Sequence, residues 1–157
     1  MVTRLSADAK KVLLTSAQEA RRRGDRRLGT DHLLLGLLHD ADSSVAQALQ
    51  IDLEAARSAA DGLDRAALAA VGVNAPHLGQ QPPSALARRL PTFTSGTRAV
   101  LTSALAQTKA DKTAQIRTRH LLLALLDRQA PDPGAELLAA LGVDGSQVRI
   151  RLEESSP

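Results

Sequence analysis

The side chains of this chain whose charge can change near neutral pH are four histidines, at positions 32, 39, 77 and 120. There is no cysteine, which excludes disulfides, zinc–thiolate sites and thiol nucleophiles. His32 and His39 are seven residues apart, about 10 Å along a helix, which is too far for one metal ion. We therefore predict no metal site.

Two of the histidines occupy the same local sequence, GTDHLLLGLL at residues 29–38 and RTRHLLLALL at residues 117–126. A histidine at such a place can hydrogen-bond the start of a helix, or it can act as a general base. No nucleophile and orienting acid accompany His32 or His120 at a readable spacing, which favours the structural role. The chain also contains neither GxxxxGK[ST] nor GxGxxG, so we predict no cofactor and no enzymatic activity.

Basic residues cluster in RRRGDRR, from Arg21 to Arg27, in a chain of net charge +3. Cations there suit the C-terminal end of a helix, where they complement its dipole. The alternative is a contact with nucleic acid, but single-stranded nucleic acid is usually bound with aromatic stacking, and Phe93 is the only aromatic residue. The structural interpretation is the better supported of the two.

The repeated decamer belongs to a longer duplication. Shifting the chain by 88 residues aligns 5–40 with 93–128 without a gap, with identities at Val12/Val100, Thr30/Thr118, His32/His120 and five leucine pairs. Matches at this spacing indicate a duplicated structural unit.

Each copy is predicted to consist of helices. Apolar residues at i, i+3 and i+4 predict an amphipathic first helix, and the leucine runs predict a second, enclosed helix capped by Thr30 or Thr118. Further helices are predicted at Ser43–Leu49, Asp52 to about Ala70, Pro133–Leu141 and Asp144–Glu153. The third helix of the first copy should be the shorter one. The sequence thus predicts an all-α protein, with residues 1–70 and 93–157 as the two copies and 71–92 as a proline-rich linker.

These features together resemble the Clp N-terminal domain (Clp repeat domain) family, most closely the N-domains of ClpC-type AAA+ unfoldases. The segment GTDHLLLGLLHD is similar to the GTEHILLGLIHE pattern of that family, and the resemblance runs from Met1 to about Glu153. It implies two four-helix units packed about a pseudo-twofold axis. In the family this domain receives substrates and adaptors and leads into ATPase modules, whereas here the sequence ends in EESSP.

The resemblance implies a phosphoarginine-type site, in which the acid of the GTEH motif binds the guanidinium and helix N-terminal amides bind the phosphate. Thr30 and Asp31 are the matching residues, and Asp31 is one methylene shorter than the family glutamate. In the second copy Arg119 replaces the acid, so that site should not bind this ligand. The alternative for Asp31 is an ordinary acid in a first helical turn.

A second surface implied by the resemblance lies where the two first helices meet, and in actinobacterial relatives it accepts cyclic-peptide antibiotics. The matching residues here are Val2, Leu13, Phe93, Arg98, Leu101 and Thr102. Val2 stands where the family has an aromatic ring. Phe93 is equally well explained as a hydrophobic staple at the start of a helix.

The resulting hypothesis is a non-catalytic, free-standing Clp N-domain that binds peptides, protein substrates, adaptors or antibiotics of the Clp system, with a Clp ATPase as a further partner. The alternatives are the N-terminal part of a complete Clp ATPase and a basic nucleic-acid-binding module. No apolar run approaches the ~20 residues of a membrane span, and no secretory signal is recognisable, so we expect a cytoplasmic protein and no membrane partner.

Overall fold

A computed structural model describes residues 4–72 and 91–155, and these residues form eight helices and two very short strands. In chain order the elements are α1 (Ala7–Arg22), β1 (Arg27–Leu28), α2 (Thr30–Leu37), α3 (Ser44–Leu49), α4 (Leu53–Ala70), β2 (Thr92–Phe93), α5 (Ser95–Ala110), α6 (Thr118–Leu126), α7 (Pro133–Ala140) and α8 (Gly145–Glu154). The predicted all-α fold is confirmed, and α3 is shorter than α7 as predicted. Val2 and most of the predicted linker lie outside the described residues.

The first helix of each copy begins and ends in the same way. The side chain of Ser6 caps α1 and that of Thr94 caps α5, each accepting a hydrogen bond from the backbone amide three residues on. Beyond the C-terminal ends, Gly24 and Lys112 adopt positive φ angles of 74° and 58°. These two residues are also 88 apart, so the duplication extends to the backbone conformation that stops each helix.

The second helices begin differently from the prediction. Thr30 and Thr118 are the first helical residues and not the caps, which are Gly29 and Arg117. The expected threonine caps are therefore wrong. The side chains that bond the start of these helices are instead those of His32 and His120. Each accepts at Nδ1 a hydrogen bond of 2.9 Å from the backbone amide of the cap residue.

The outer nitrogen of each of these histidines contacts a carboxylate. The Nε2 atoms of His32 and His120 lie 2.7 and 2.9 Å from the carboxylates of Asp25 and Asp111. Because Nδ1 accepts a hydrogen bond, Nε2 carries the proton and donates it. The predicted structural role of the two histidines is confirmed by these contacts.

The two copies are joined by reciprocal strand pairing. Leu28 pairs in parallel with Phe93, and Leu5 pairs in parallel with Ile116. Under the 88-residue shift these are the same pair. The segment before the first helix of each copy therefore pairs with the segment before the second helix of the other, and Leu5 lies outside α1 because it makes this bridge.

The third helices also pack across the two copies. Helix α7 packs on α2 and α4, whereas α3 packs on α6 and α8. The leucines that face inward from α2 and α6 have no exposed surface, for example Leu34 and Leu122. Neither copy encloses its own core, because each leucine helix is covered in part by the third helix of the other copy.

The close contact between α1 and α2 depends on Gly36. A Cβ at this position would lie 2.1 Å from Ser16 Oγ and 2.7 Å from the carbonyl oxygen of Val12. We expect Gly36→Ala to destabilise the protein by about 1 to 3 kcal/mol, because α1 must move away. Gly62→Ala is the matched control. Gly62 lies within α4 with open space around it, so alanine should stabilise by about 1 kcal/mol.

Chemical denaturation monitored by circular dichroism measures both changes. Equal effects of the two substitutions would contradict this account of the α1–α2 contact.

Candidate functional site

The first predicted site lies at the start of α2, where Thr30 and Asp31 occupy very different environments. Thr30 is 1% exposed, and its hydroxyl donates to Asp132 Oδ2 at 2.8 Å and accepts from the Gly134 amide at 2.8 Å. The Asp31 side chain is 19% exposed. Only Asp31 of the predicted pair therefore presents a polar group to solvent.

The Asp31 carboxylate is positioned by the helix start itself. Its Oδ1 accepts a hydrogen bond of 3.0 Å from the His32 amide, and a Cβ at Gly29 would lie only 2.6 Å from this oxygen. Glycine at position 29 thus allows the carboxylate to fold back over the cap. One of the helix N-terminal amides predicted to bind a phosphate is already occupied by Asp31.

Asp31 is part of an acidic surface that surrounds one buried arginine. The side chain of Arg23 is 2% exposed and forms ion pairs with Asp25, Asp61 and Asp64. Burial raises the pKa of Asp64, the charges of Asp25 and Asp31 raise it further, and Arg23 offsets these effects only in part. The carboxylates outnumber the one guanidinium among them, so this surface suits a cationic group.

The basic cluster predicted from the sequence is divided by this arrangement. Arg21 and Arg22 lie in the last turn of α1, as the helix-dipole interpretation requires, and Arg26 and Arg27 are exposed. Arg23 points inward and pairs with acids of α4 and of the following turn. Part of the cluster is therefore structural, which leaves a weaker case for a nucleic-acid surface.

The matching place in the second copy is an open cleft. A cavity of about 420 Å³ at the start of α6 is lined by residues that include Arg117, Thr118 and Arg119. A second cavity of about 440 Å³ shares Asp8, Ser44 and Thr118 with it. The two sites predicted as copies of each other thus differ in shape as well as in charge.

The residues predicted for the second surface are only partly brought together. Phe93 and Arg98 line a cavity of about 560 Å³ with Arg27, Pro91 and Thr92. Leu13, Leu101 and Thr102 are not among its lining residues within the described ranges. Helices α1 and α5 make their principal contacts with α2 and α6 and not with each other.

A buried ion-pair network centred on Glu19 joins helices of the first copy. Glu19 of α1 is 1% exposed, and its Oε1 lies 2.9 Å from Arg57 Nε of α4 and 2.9 Å from His39 Nε2. Burial alone would raise the pKa of Glu19, but the hydrogen bonds from Arg57 and His39 outweigh it and hold this pKa below its usual value. The network joins α1, α4 and the end of α2.

The described residues, 4–72 and 91–155, contain neither a cluster of metal ligands nor a helix that could span a membrane. Within these ranges, no three or more acids and histidines are grouped as metal ligands would be. The helices found there are too short or too polar to cross a bilayer.

The family of the chain follows from its sequence similarity. A family model described as the Clp repeat (R) N-terminal domain matches residues 2–52 and 92–157. The chain belongs to the Clp repeat N-terminal domain family. The matched ranges include both copies of the leucine helix.

Relatives of this Clp repeat domain are named chaperones. It is 31% identical over 152 residues to the chaperone protein ClpB of Oceanobacillus iheyensis, covering 95% of this chain and 17% of that protein. It is 29% identical over 155 residues to the chloroplastic chaperone protein ClpC2 of Oryza sativa subsp. japonica, covering 97% and 15%. The chain therefore spans about a sixth of the length of these relatives.

The fold of this Clp repeat domain is shared with a solved N-domain. The crystal structure of the N-terminal domain of ClpD from Arabidopsis thaliana superposes with a TM-score of 0.71 at 19% identity, covering 98% of both chains. At 19% identity, this structural similarity supports a shared fold and does not by itself support a shared function.

Sequence reasoning missed the side chains that close the first site. Asp132 and Gly134 reach Thr30 from more than 100 residues away, and the sequence placed them only at the start of a helix. Pro133 and Gly134 together mark a tight helix start, but the helix that they would contact is not readable from local sequence.

Proposed function

We propose that this Clp repeat domain is a binding module that receives protein substrates or adaptors for a Clp ATPase and carries out no chemistry itself. The observation that supports this best is the family match over both repeats. A free-standing chain would act as a decoy or accessory in the cytoplasm, and the first domain of a longer protein would deliver substrates to the ATPase that follows.

Within this module we propose Asp31 as the residue that contacts a guanidinium, as in phosphoarginine recognition. Its carboxylate is partly exposed and belongs to the acidic surface around Arg23, where a cation is favoured. Thr30 contributes by holding the start of α2 against Asp132, because its hydroxyl is already bonded there. The second copy has Arg119 in place of the acid and should not take part.

The cavity beside Phe93 is a second proposed contact, for a peptide or a cyclic-peptide antibiotic. It combines one aromatic ring with Arg27 and Arg98. Phe93 and Pro91 supply apolar surface beside these two guanidinium groups, which would suit a peptide with an apolar and an acidic or polar group.

One calorimetric series tests the module and its proposed phosphoarginine site. The titrants are a permanently unfolded, carboxymethylated protein and a capped tripeptide with phosphoarginine at its centre, with the unmodified arginine peptide as control. We expect the unfolded protein to bind and the phosphoarginine peptide to bind at one site. Asp31→Ala should weaken the latter about 10- to 100-fold, as loss of a charge-assisted hydrogen bond does.

Arg119→Ala is the matched control, since it changes the same position of the other copy and should leave binding that depends on Asp31 unaltered. Two equivalent phosphoarginine sites would contradict the assignment of Asp31. If the unfolded protein does not bind at all, the proposal that this domain is a protein-binding module is contradicted.

A further inference from the structure

An ion pair of the second copy fills the space beside the start of α2. Asp132 Oδ2 accepts hydrogen bonds from the Thr30 hydroxyl at 2.8 Å and from the Ala135 amide at 3.1 Å. Arg128 Nε lies 3.3 Å from the other carboxylate oxygen of Asp132, Oδ1. The side chain of Asp132 is only 4% exposed. The first leucine helix is therefore closed at this end by an acid and an arginine of the chain itself.

The absence of a side chain at Gly96 makes room for this ion pair. A Cβ at Gly96 would lie 2.8 Å from Asp132 Oδ1 and 3.7 Å from Arg128 Nη2. Any side chain at position 96 would thus collide with the carboxylate of Asp132. The residue 88 positions earlier is Asp8, which does carry a side chain. The corresponding place at the start of α6 cannot be filled in the same way.

That corresponding place is an open pocket of about 440 Å³. Its lining includes the counterparts of the four residues that close the start of α2, which are Asp8 for Gly96, Asp40 for Arg128, Ser43 for Asp132 and Thr118 for Thr30. Ser43 and Asp132 correspond as the caps of α3 and α7, and each accepts a hydrogen bond from the amide three residues on. Aspartate at position 40 means that the pocket lacks the arginine of its counterpart.

Carboxylates outnumber cations in this pocket. Asp8 and Asp40 line it, and neither forms an ion pair with another residue of 4–72 or 91–155. Among the lining residues in these ranges the basic ones are Lys11 and His39, and His39 Nε2 lies 2.9 Å from the buried Glu19. Two carboxylates therefore face one ammonium group, which leaves a place for a further cation.

The duplication also indicates which cation fits. The side chain of Asp8 begins at the place of the Cβ that Gly96 lacks, and the Arg128 guanidinium lies 3.7 Å from that place. A guanidinium in the position of Arg128 would thus lie within reach of the Asp8 carboxylate. Guanidinium and carboxylate match each other with paired hydrogen bonds.

We propose that this pocket, defined by Asp8, Asp40 and Ser43 and called the Asp8 pocket, binds an unmodified arginine side chain of a partner polypeptide. The incoming guanidinium takes between Asp8 and Asp40 the place that Arg128 takes beside Thr30. One leucine helix is thus closed by an arginine of this chain, and the other is open to an arginine of a partner.

This inference rests on the proposed function, because it names the chemistry of one contact of the protein-binding module. It differs from the Asp31 site in position and in ligand. The phosphate of phosphoarginine is negatively charged, so the two acids of the Asp8 pocket favour the unmodified side chain. A tripeptide with one arginine makes a single partly exposed ion pair here, which is too weak to disturb the calorimetric series.

The test is fluorescence anisotropy with a labelled, capped hexapeptide of alternating arginine and glycine. The control probe has citrulline, which has the shape of arginine without its charge. All proteins carry Asp31→Ala, so that the proposed phosphoarginine site does not contribute. Asp8→Asn and Asp40→Asn should each raise the dissociation constant about fivefold, the upper end for partly exposed charge pairs. Glu136→Gln removes one exposed negative charge from α7 and should change it less than about twofold.

Two further variants separate the pocket from net charge. Lys11→Gln removes the competing ammonium group and should lower the dissociation constant about twofold. Asp40→Arg is the decisive variant, since it supplies internally the arginine that the partner would bring, and it should raise the dissociation constant at least about tenfold. Glu136→Arg changes the net charge by the same amount and should have an effect of about twofold or less.

Thermal unfolding by circular dichroism shows whether these variants fold, and if Asp40→Arg does not, the two asparagine variants decide. Equal losses in Asp40→Arg and Glu136→Arg would overturn the Asp8 pocket, because binding would then follow net charge alone. Equal binding of the arginine and citrulline peptides would do the same, as would no binding at millimolar peptide.

Chemical shift changes on peptide addition give the position of the site. They should centre on Asp8, Asp40 and Thr118, and changes centred on Asp61 and Asp64 instead would contradict the proposal. Binding of the unfolded protein still tests the module separately, because the Asp8 pocket is only one of its contacts.

Discussion

Replacing Arg57 by methionine should destabilise the protein by about 3 to 5 kcal/mol at pH 7, because it leaves the charge of Glu19 buried with one partner fewer. Glu19 is 1% exposed, and Arg57 approaches it with both Nε and Nη2. Urea denaturation followed by circular dichroism measures the loss. Arg65→Met is the matched control on the same helix, and it should cost less than about 0.5 kcal/mol because Arg65 is exposed.

The pH dependence of this substitution has a definite sign. Burial acts to raise the pKa of Glu19, and the hydrogen bonds from Arg57 and His39 lower it below its usual value of 4.5. A lowered pKa contributes stability that is present above pH 4.5 and is lost as the pH falls through the folded-state pKa. Without Arg57, burial dominates and Glu19 takes up a proton more readily.

The difference in unfolding free energy between the unaltered protein and Arg57→Met should therefore shrink on acidification. A second change, Glu19→Gln, removes the charge and should recover part of the loss at pH 7. A loss at pH 7 no greater than that of the Arg65 control would show that the network does not stabilise the fold.

Truncating the leucine helices should have an effect of similar size. Leu34→Ala and Leu122→Ala should each cost about 2 to 5 kcal/mol, because both side chains have no exposed surface and their removal leaves cavities. Leu14→Ala is the control, since Leu14 is 57% exposed and should cost less than about 0.5 kcal/mol. Denaturation curves give all three values. Costs below about 0.5 kcal/mol at both Leu34 and Leu122 would mean that the core lies elsewhere.

The Glu19 network also shows how the copies have diverged without losing the fold. In the second copy the positions of Glu19, His39 and Arg57 are held by Gln107, Asp127 and Arg149. Arg149 pairs with Asp127 at the end of α6. In the second copy the acid therefore lies at the end of the leucine helix and not on the first helix. The arginine of the fourth helix forms its ion pair with the acid there.

Features that depend on short stretches of chain were determined by the sequence alone. The duplication, the number of helices and most of their ends followed from apolar periodicity and from capping residues such as Asp52 and Asp144, which act within one helical turn. The roles of His32 and His120 followed in the same way, because each bonds an amide three residues before it.

Tertiary structure decided which surfaces are open. The Thr30 hydroxyl hydrogen-bonds Asp132, which is 102 residues away in sequence, and two of the ion-pair partners of Arg23 lie on α4. The exchange of third helices between the copies places Asp132 and Gly134 at one leucine helix and Ser43 and Val45 at the other. Local sequence marks all four residues as parts of helix starts, but packing at distances of a few ångströms determines that one start is closed and the other is a cleft.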